Sequence, residues 1–415
     1  MRAIRIIGLL MLTAACWSCA GPDIPEIRWK SIERSLQERL IAATDGDTIR
    51  IPAGHFRFTR GLTLDGKRNL VIRGAGEDST ILSFAGQSEG AQGLLVTNGH
   101  HITIEHLTIE DARGDNLKVS DTRHLTLRHI RSRWTAEPSS ANGAYALYPV
   151  LCRNVLIEYC EAIGSSDAGI YVGQSDSVTI RNNKAWHNVA GIESENSRWV
   201  EIHSNETWDN TGGLLVFDLP GLTQTGHHTR IFNNLIHDNN HPNFASPGNV
   251  VASIPPGTGV MILATRDLEM TDNTIRNNRT VGTGIISYDL VAALTEEADP
   301  QTGNGDARTY NNNYRLDSAY NPYPDNIRIH GNRYSNEHWF PTWRHDIGLL
   351  FLQKSFLNPP DIAYDGIRPE GMATRLCIGG NGEGMRFIFL DAGRDFAGWS
   401  TDPTEFTCTT DIQQP

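Results

Sequence analysis

The sequence predicts an all-β fold, a right-handed parallel β-helix, and three observations carry that expectation. First, "AGIYVGQSDSVTIRNNKAWHNV" (168–189) is followed at once by "AGIESENSRWVEIHSNETWDNT" (190–211), two copies of 22 residues that share Ala, Gly, Ile, Ser, Val, Ile, Asn, Trp and Asn at matching places. Second, the register extends to units starting at Gly93, Asn116, Ala146, Gly213, Gly259 and Gly284, each with two short apolar-x-apolar runs around a polar turn. Alternation marks strands, and a period this short leaves no room for a crossover helix, so each strand pairs with its copy one turn on, about 4.8 Å away. Third, one position after the second run reads Leu107, Ile130, Cys160, Asn183, Asn205, Asn234, Asn273 and Asn332. Stacked amides hydrogen-bond along such an axis and satisfy turn backbone.

The elements follow in chain order. Met1–Arg5 carries two Arg, Ile6–Leu12 is a short apolar run, and Leu12–Cys16 has the form of a bacterial lipoprotein cleavage box, with Cys16 as the lipidated residue. The apolar run is too short for a mature membrane span. An exported, cell-envelope protein held to a membrane only through an N-terminal lipid is expected, with ordinary secretion as the alternative. Next, Ile32, Leu36 and Leu40 lie on one helical face, which suits a helix covering the open end of the solenoid. The β-helix is expected over 31–335 and an irregular cap over 336–415. Cys377 and Cys408 would close a loop of about 30 residues there if export oxidises them. Cys152 and Cys160 sit at opposite ends of one strand and cannot pair with each other.

Together with the helix, the segments "GDTIRIPAG", "LVIRGAG" and the coils ending in "NN" or "DN" resemble the pectin-lyase-like right-handed β-helix proteins. More narrowly, "NGAYALYP", "SDAGIYVGQS", "VAGIESENS" and "TGGLLVFDLPG" resemble a group of exported bacterial parallel β-helix repeat proteins. The resemblance covers 31 to about 335. It implies activity on acidic polysaccharides, of lyase or C5-epimerase type, with a Tyr, Lys, His or Arg base and a cation opposite the uronate carboxylate. The chain lacks the paired Asp with Gly-His-Gly of the pectin hydrolases, the Asp-Pro-His of the alginate epimerases and the Asp-Phe-x-Phe-Gly of the pectin methylesterases.

Function is to be sought where turns differ, on outward positions. The outward column reads Leu95, Lys118, Tyr148, Tyr171, Glu193, Leu215, Met261 and Ile286, with Glu195 two residues beyond Glu193 on the same face. Lys118 suits charge neutralisation, and Tyr148 or Tyr171 suits proton transfer if neighbours lower the phenol pKa. Glu193 and Glu195 would repel a polyuronate unless Ca2+ bridges them, and they leave two-carboxylate glycoside hydrolysis open as a less favoured reading. Long inserts fall at 132–144, 219–228 and 239–257, and those at 132–144 and 239–257 are expected to wall a groove over these rungs. Trp134, Tyr145 and Phe244 could offer sugar-binding faces there or pack on the barrel, and Asp167 and Asp218 border it. The insert at 290–325 reads equally as a binding loop or an excursion.

The remaining readings are exclusions and open alternatives. A net charge of −12 argues against nucleic acid as partner. His100-His101 and His227-His228 read as solvated turn doublets rather than metal ligands. Asp111, Asp115 and Asp121 are candidate Ca2+ ligands without the repeat of calcium β-rolls; no cofactor is implied with certainty. A monomer acting on a polysaccharide is the first expectation. A non-catalytic surface lipoprotein that binds a glycan or a protein is the second.

Overall fold

The computed structural model describes residues 29–298 and 314–408, apart from 344, 356, 370 and 372–374. Among them the chain winds into a parallel coil whose strands form an eleven-stranded and a twenty-stranded sheet. The copies seen in the sequence lie directly over one another, with Tyr171 beside Glu193, Val172 beside Ser194 and Gly173 beside Glu195. Inward positions of the smaller sheet, such as Leu117, Leu147, Ile170, Ile192 and Leu214, join those of the larger sheet in one continuous core. Burying such a column removes apolar surface at every rung, which is why the repeat must keep these positions hydrophobic.

The asparagine column is an unbroken ladder. Asn183 donates to Asn205 at 3.0 Å, Asn205 to Asn234 at 3.0 Å, Asn234 to Asn273 at 2.9 Å and Asn273 to Asn332 at 2.8 Å. It runs one rung further than expected, to Asn381 at 3.1 Å. A second ladder, unanticipated, links Asn188, Asn210, Asn239 and Asn278 at 3.0, 2.9 and 3.1 Å. The residue before each member of the first ladder from Asn183 to Asn332 is left-handed: Asn182, Ser204, Asn233, Asp272 and Gly331. The corner needs both a positive φ and a buried amide to satisfy the carbonyls it exposes.

Both ends are closed. Helix α1 (Glu33–Ala42) buries Leu36 and Leu40, with Ile32 packed partly against the core. Gln37 on α1 imitates a further strand for the first rung of the smaller sheet: its Nε2 donates to the Thr63 carbonyl and its Oε1 accepts from the Thr63 N–H, both at 2.9 Å. At the other end the coil passes the expected boundary at 335, because Ile362–Tyr364, Leu376–Gly379 and Phe387–Phe389 add parallel strands. A disulfide joins Cys377 to Cys408. Cys152 and Cys160 are buried thiols. No described helix is long and apolar enough to cross a membrane.

Candidate functional site

The outward column of the smaller sheet is Thr63, Leu95, Lys118, Tyr148, Tyr171, Glu193, Leu215, Met261 and Gly284. One expected member changes: Gly284 stands beside Met261, and Ile286 belongs to the next outward column, beside Leu263. "VGTGII" offers two glycines as the start of the unit, and the structure uses the first.

The expected open groove is the larger correction. Two inserts close over the floor: 239–257, which was expected to wall it, and the 290–325 insert with its flanks. The 239–257 segment brings Val251 and Ile254, helix α2 (Tyr288–Ala298) brings Tyr288, Val291 and Ala292, and the return stretch brings Tyr314 and Tyr320. They pack with Tyr145, Tyr148, Tyr171, Leu215, Phe217, Met261 and Leu263 into a second hydrophobic core outside the coil. Along the column, Thr63 is exposed, Leu95 and Lys118 are half-buried, and every position from Tyr148 to Gly284 is buried. Residues 299–313 of the 290–325 insert lie outside the described residues; its flanks are roof.

Beneath the roof lies a set of acids and phenols. Tyr171, 4% exposed, donates from its hydroxyl to Glu195 Oε1 at 2.6 Å. Burial, then the Glu195 charge, pushes its pKa well up, so the expected activation of this phenol by lowering is reversed. Glu193 is 2% exposed and its Oε2 has no hydrogen-bond partner among the described residues. Burial first, then Asp167 and Glu195, raise its pKa well above the ordinary carboxylate value. Asp167 accepts from Tyr145 Oη at 3.1 Å and from Asn249 Nδ2, reaching in from the roof, at 3.4 Å. Asp218 accepts from the Gly226 N–H at 2.8 Å, and burial pushes its pKa up to about 7. Glu195 alone of these carboxylates is half-buried.

Lys118 differs from everything else in the column. Its ammonium sits 4.5 Å from the centre of the Tyr148 ring, at the edge where the roof stops and the bare rungs begin. Tyr148 packs against Tyr145 and Tyr171, with centroids 4.4 and 4.9 Å apart. Lys118 is the one cation in the outward column. With rungs about 4.8 Å apart, Glu195 lies three rungs, roughly 14 Å, from Lys118, too far for both to act on one sugar ring.

Of the expected aromatic faces, none is offered. Trp134 is 6% exposed and its Nε1–H donates to the Ala112 carbonyl at 2.9 Å, so it anchors the 132–144 insert to the coil. Tyr145 is committed to Asp167, and Phe244 is half-buried against the roof. Asp111, Asp115 and Asp121 do not converge as one ligand set: among the described residues the sole group of three such side chains within ion reach is His100, His101 and His124. Asp111 instead accepts from Thr135 N–H and Oγ1 at 2.7 and 2.8 Å. The proposed lipidation residue, Cys16, lies outside the described residues. The roof tyrosines and Asn249 were missed in the sequence; the spacing of Tyr288, Val291 and Ala292 on one helical face was the readable signal.

A family model described as a right handed beta helix region matches residues 68–222. Over 191 residues, 37% of this chain, the sequence is 24% identical to the pre-neck appendage protein of Bacillus phage B103, and the match spans 22% of that protein's length. Among solved structures, the A-module of a mannuronan C-5 epimerase of Azotobacter vinelandii superposes with a TM-score of 0.52 at 17% identity, covering 85% of this chain and 91% of the other. A second such A-module from the same organism gives 0.51 at 16%, covering 84% and 89%. The chain thus has the fold of a right-handed parallel β-helix. At these identities the likeness defines the fold alone.

Proposed function

We propose that the protein is exported and acts on an acidic polysaccharide, with lyase or C5-epimerase chemistry, at the margin of the roof around Lys118 and Tyr148. The observation that carries this is the single ammonium of the outward column, half-exposed over a phenol, where the roofed rungs meet the bare ones. An ammonium against a uronate carboxylate lowers the cost of taking the C5 proton, because charge developing at the ring carbon is delocalised onto a neutralised group. Tyr148, next to Lys118, is the residue placed to pass a proton. Tyr171, with its raised pKa and its bond to Glu195, stays protonated and supports the packing beneath Tyr148. Epimerisation returns the proton to the opposite face; elimination instead expels the 4-linked sugar. The names of the epimerase modules with the same fold agree with this substrate class.

A panel of uronic-acid polymers tests the reading, following unsaturated uronate absorbance and C5 stereochemistry with and without Ca2+. Product that vanishes in Lys118→Ala and falls at least a hundredfold in Tyr148→Phe, with both variants folded, is the expected result. The sealing of Tyr171 and Glu193 favours a second reading, a glycan-binding surface without turnover. On that reading no polymer yields product, and Lys118→Ala weakens retention by degrees.

The envelope location is part of the proposal and rests on the Leu12–Cys16 stretch. Radiolabelled palmitate incorporated by the full chain and lost in Cys16→Ala is the outcome expected. Release of the unlabelled protein in soluble form would leave ordinary secretion.

A further inference from the structure

On the far side of the coil, the strands of the larger sheet that begin each rung share a backbone feature. Their second residue has a positive φ: Asn69, His101, His124, Asn154, Ser177 and Trp199 occupy successive rungs at +45 to +60°. A left-handed residue turns the side chains at this corner outward along one line, so consecutive rungs present their rings one above the other. His101 and His124 are stacked with centroids 4.2 Å apart and planes 2° from parallel. His100, immediately before His101, closes the third side, with centroids 4.5 Å from His101 and 5.3 Å from His124. One ring nitrogen from each of the three lies within 4.8 Å of the others.

Two further facts separate this group from an ordinary solvated turn. Other histidines on this coil are engaged by carboxylates: His187 by Asp209 at 2.9 Å, His237 by Asp238 at 2.8 Å, His330 by Glu269 at 3.2 Å. The three rings at the corner face only one another, with no ring hydrogen bond to a described residue. His100 is also flanked in register by Arg68 and Arg123 on the rungs to either side. Three basic rings and two guanidiniums without a carboxylate would repel calcium or magnesium, which need anionic oxygens. They suit an ion that gains its affinity from nitrogen donors.

We propose that His100, His101 and His124 bind a divalent transition-metal ion of the zinc, nickel and copper class, in a site open on its outer side. Metal–nitrogen bonds of about 2.0–2.1 Å place tetrahedral ligand nitrogens about 3.4 Å apart, so closing the group from 4.8 Å asks each ring nitrogen to move about 0.7 Å and His101 and His124 to turn out of their parallel stack until both ring planes meet at the ion. His101 and His124 are exposed and His100 half-buried, so the rings have room for that movement. Three protein ligands leave a coordination position for water or an added anion. His101 and His124 also line a shallow trough of about 480 Å3 that runs on to Arg181. The affinity order is copper above nickel and zinc, and calcium does not compete.

The test uses tag-free protein at neutral pH, titrated calorimetrically with Cu2+, Ni2+ and Zn2+, with electron paramagnetic resonance of the Cu2+ form. One ion per chain and a spectrum of three equatorial nitrogens are expected. His101→Asn and His124→Asn keep the backbone, because Asn69 and Asn154 already hold the same left-handed position on neighbouring rungs. Each is expected to remove one nitrogen from the spectrum and weaken binding at least about tenfold, with thermal unfolding of the metal-free protein unchanged. Unaltered binding in the His101→Asn/His124→Asn double variant would overturn the site, as would no binding in the parent protein.

Discussion

The coil has two outer faces built by one repeat, and they differ in almost everything but the repeat. The larger sheet turns a bare surface to solvent, laced with cross-rung charge pairs such as Arg230 with Glu201 at 3.1 Å and Glu269 at 3.3 Å, and Arg181 with Glu158 at 2.7 Å. The smaller sheet is bare for its first rungs and then carries a second core with buried acids beneath a roof. The difference comes from the turns. The inserts whose residues enter the second core both adjoin the smaller sheet: 239–257 leads from the larger-sheet strand Leu235–His237 into Thr258–Leu263, and the segment from Tyr288 on leads out of Val281–Ile286 to the larger-sheet strand Asp325–His330. Charges that cost little on the open face, where water screens them, are disfavoured when roofed: burial raises the pKa of Glu193 well above its ordinary value and that of Asp218 to about 7. The lesson is that the scaffold is uniform and chemistry is imposed by what covers it.

The largest expected effect is on the roofed side. Tyr288 is almost fully buried among Tyr314 and Tyr320, with centroids 4.8 and 5.8 Å away. Tyr288→Ala should cost about 3–5 kcal/mol in urea unfolding and raise proteolysis within 239–257, since the roof loses its central ring. A cost below 1 kcal/mol would mean that the roof is not a packed core. Next in size is the ladder both faces share. Asn205→Ala leaves the Asn183 N–H and the Ile180 carbonyl without their 3.0 and 2.9 Å partners, and should cost about 2–3 kcal/mol by the same assay.

The third prediction concerns pH. Asp218 has a folded pKa of about 7 against an ordinary 3.8, so the folded chain holds a proton that the unfolded chain has lost. Its contribution is therefore intact below about pH 4 and is lost as pH rises toward 7. Glu193 acts in the same direction, its contribution falling as pH rises from its ordinary value of 4.5. Glu193→Gln should unfold at higher temperature than the parent at pH 8 and show less difference at pH 5. A variant destabilised equally at both values would contradict a raised pKa at Glu193. Smallest is the bare face: Arg230, half-exposed between two carboxylates, should cost under about 1 kcal/mol when changed to Ala, measured as a shift in unfolding temperature.

Much of this was legible before the structure, for a physical reason. Anything set by the repeat has a copy to check it against: the Tyr171–Glu193 register, the amide ladder from Asn183 to Asn332 and the capping face of Leu36 and Leu40 each satisfy a requirement that recurs or closes an end. The disulfide between Cys377 and Cys408 was readable from their places bracketing the final segment and from an expected export. The roof was not legible, because alternation reports which side of a strand a residue faces and not whether that side is later covered. Tyr171 and Glu193 read the same in either case. The left-handed column through His101, His124 and Trp199 escaped because its constraint lies on the backbone and several residue types meet it. That is also why His124 was never placed beside His100 and His101.

The most direct test of the account asks which face meets the polymer. Affinity electrophoresis through gels containing each acidic polysaccharide, run for the parent protein, Lys118→Ala and Arg230→Ala, compares a cation at the roof margin with one on the bare face. The account predicts retardation of the parent and of Arg230→Ala alike, and its loss in Lys118→Ala. Retardation that survives Lys118→Ala and disappears in Arg230→Ala would place the polymer on the larger sheet and contradict the account.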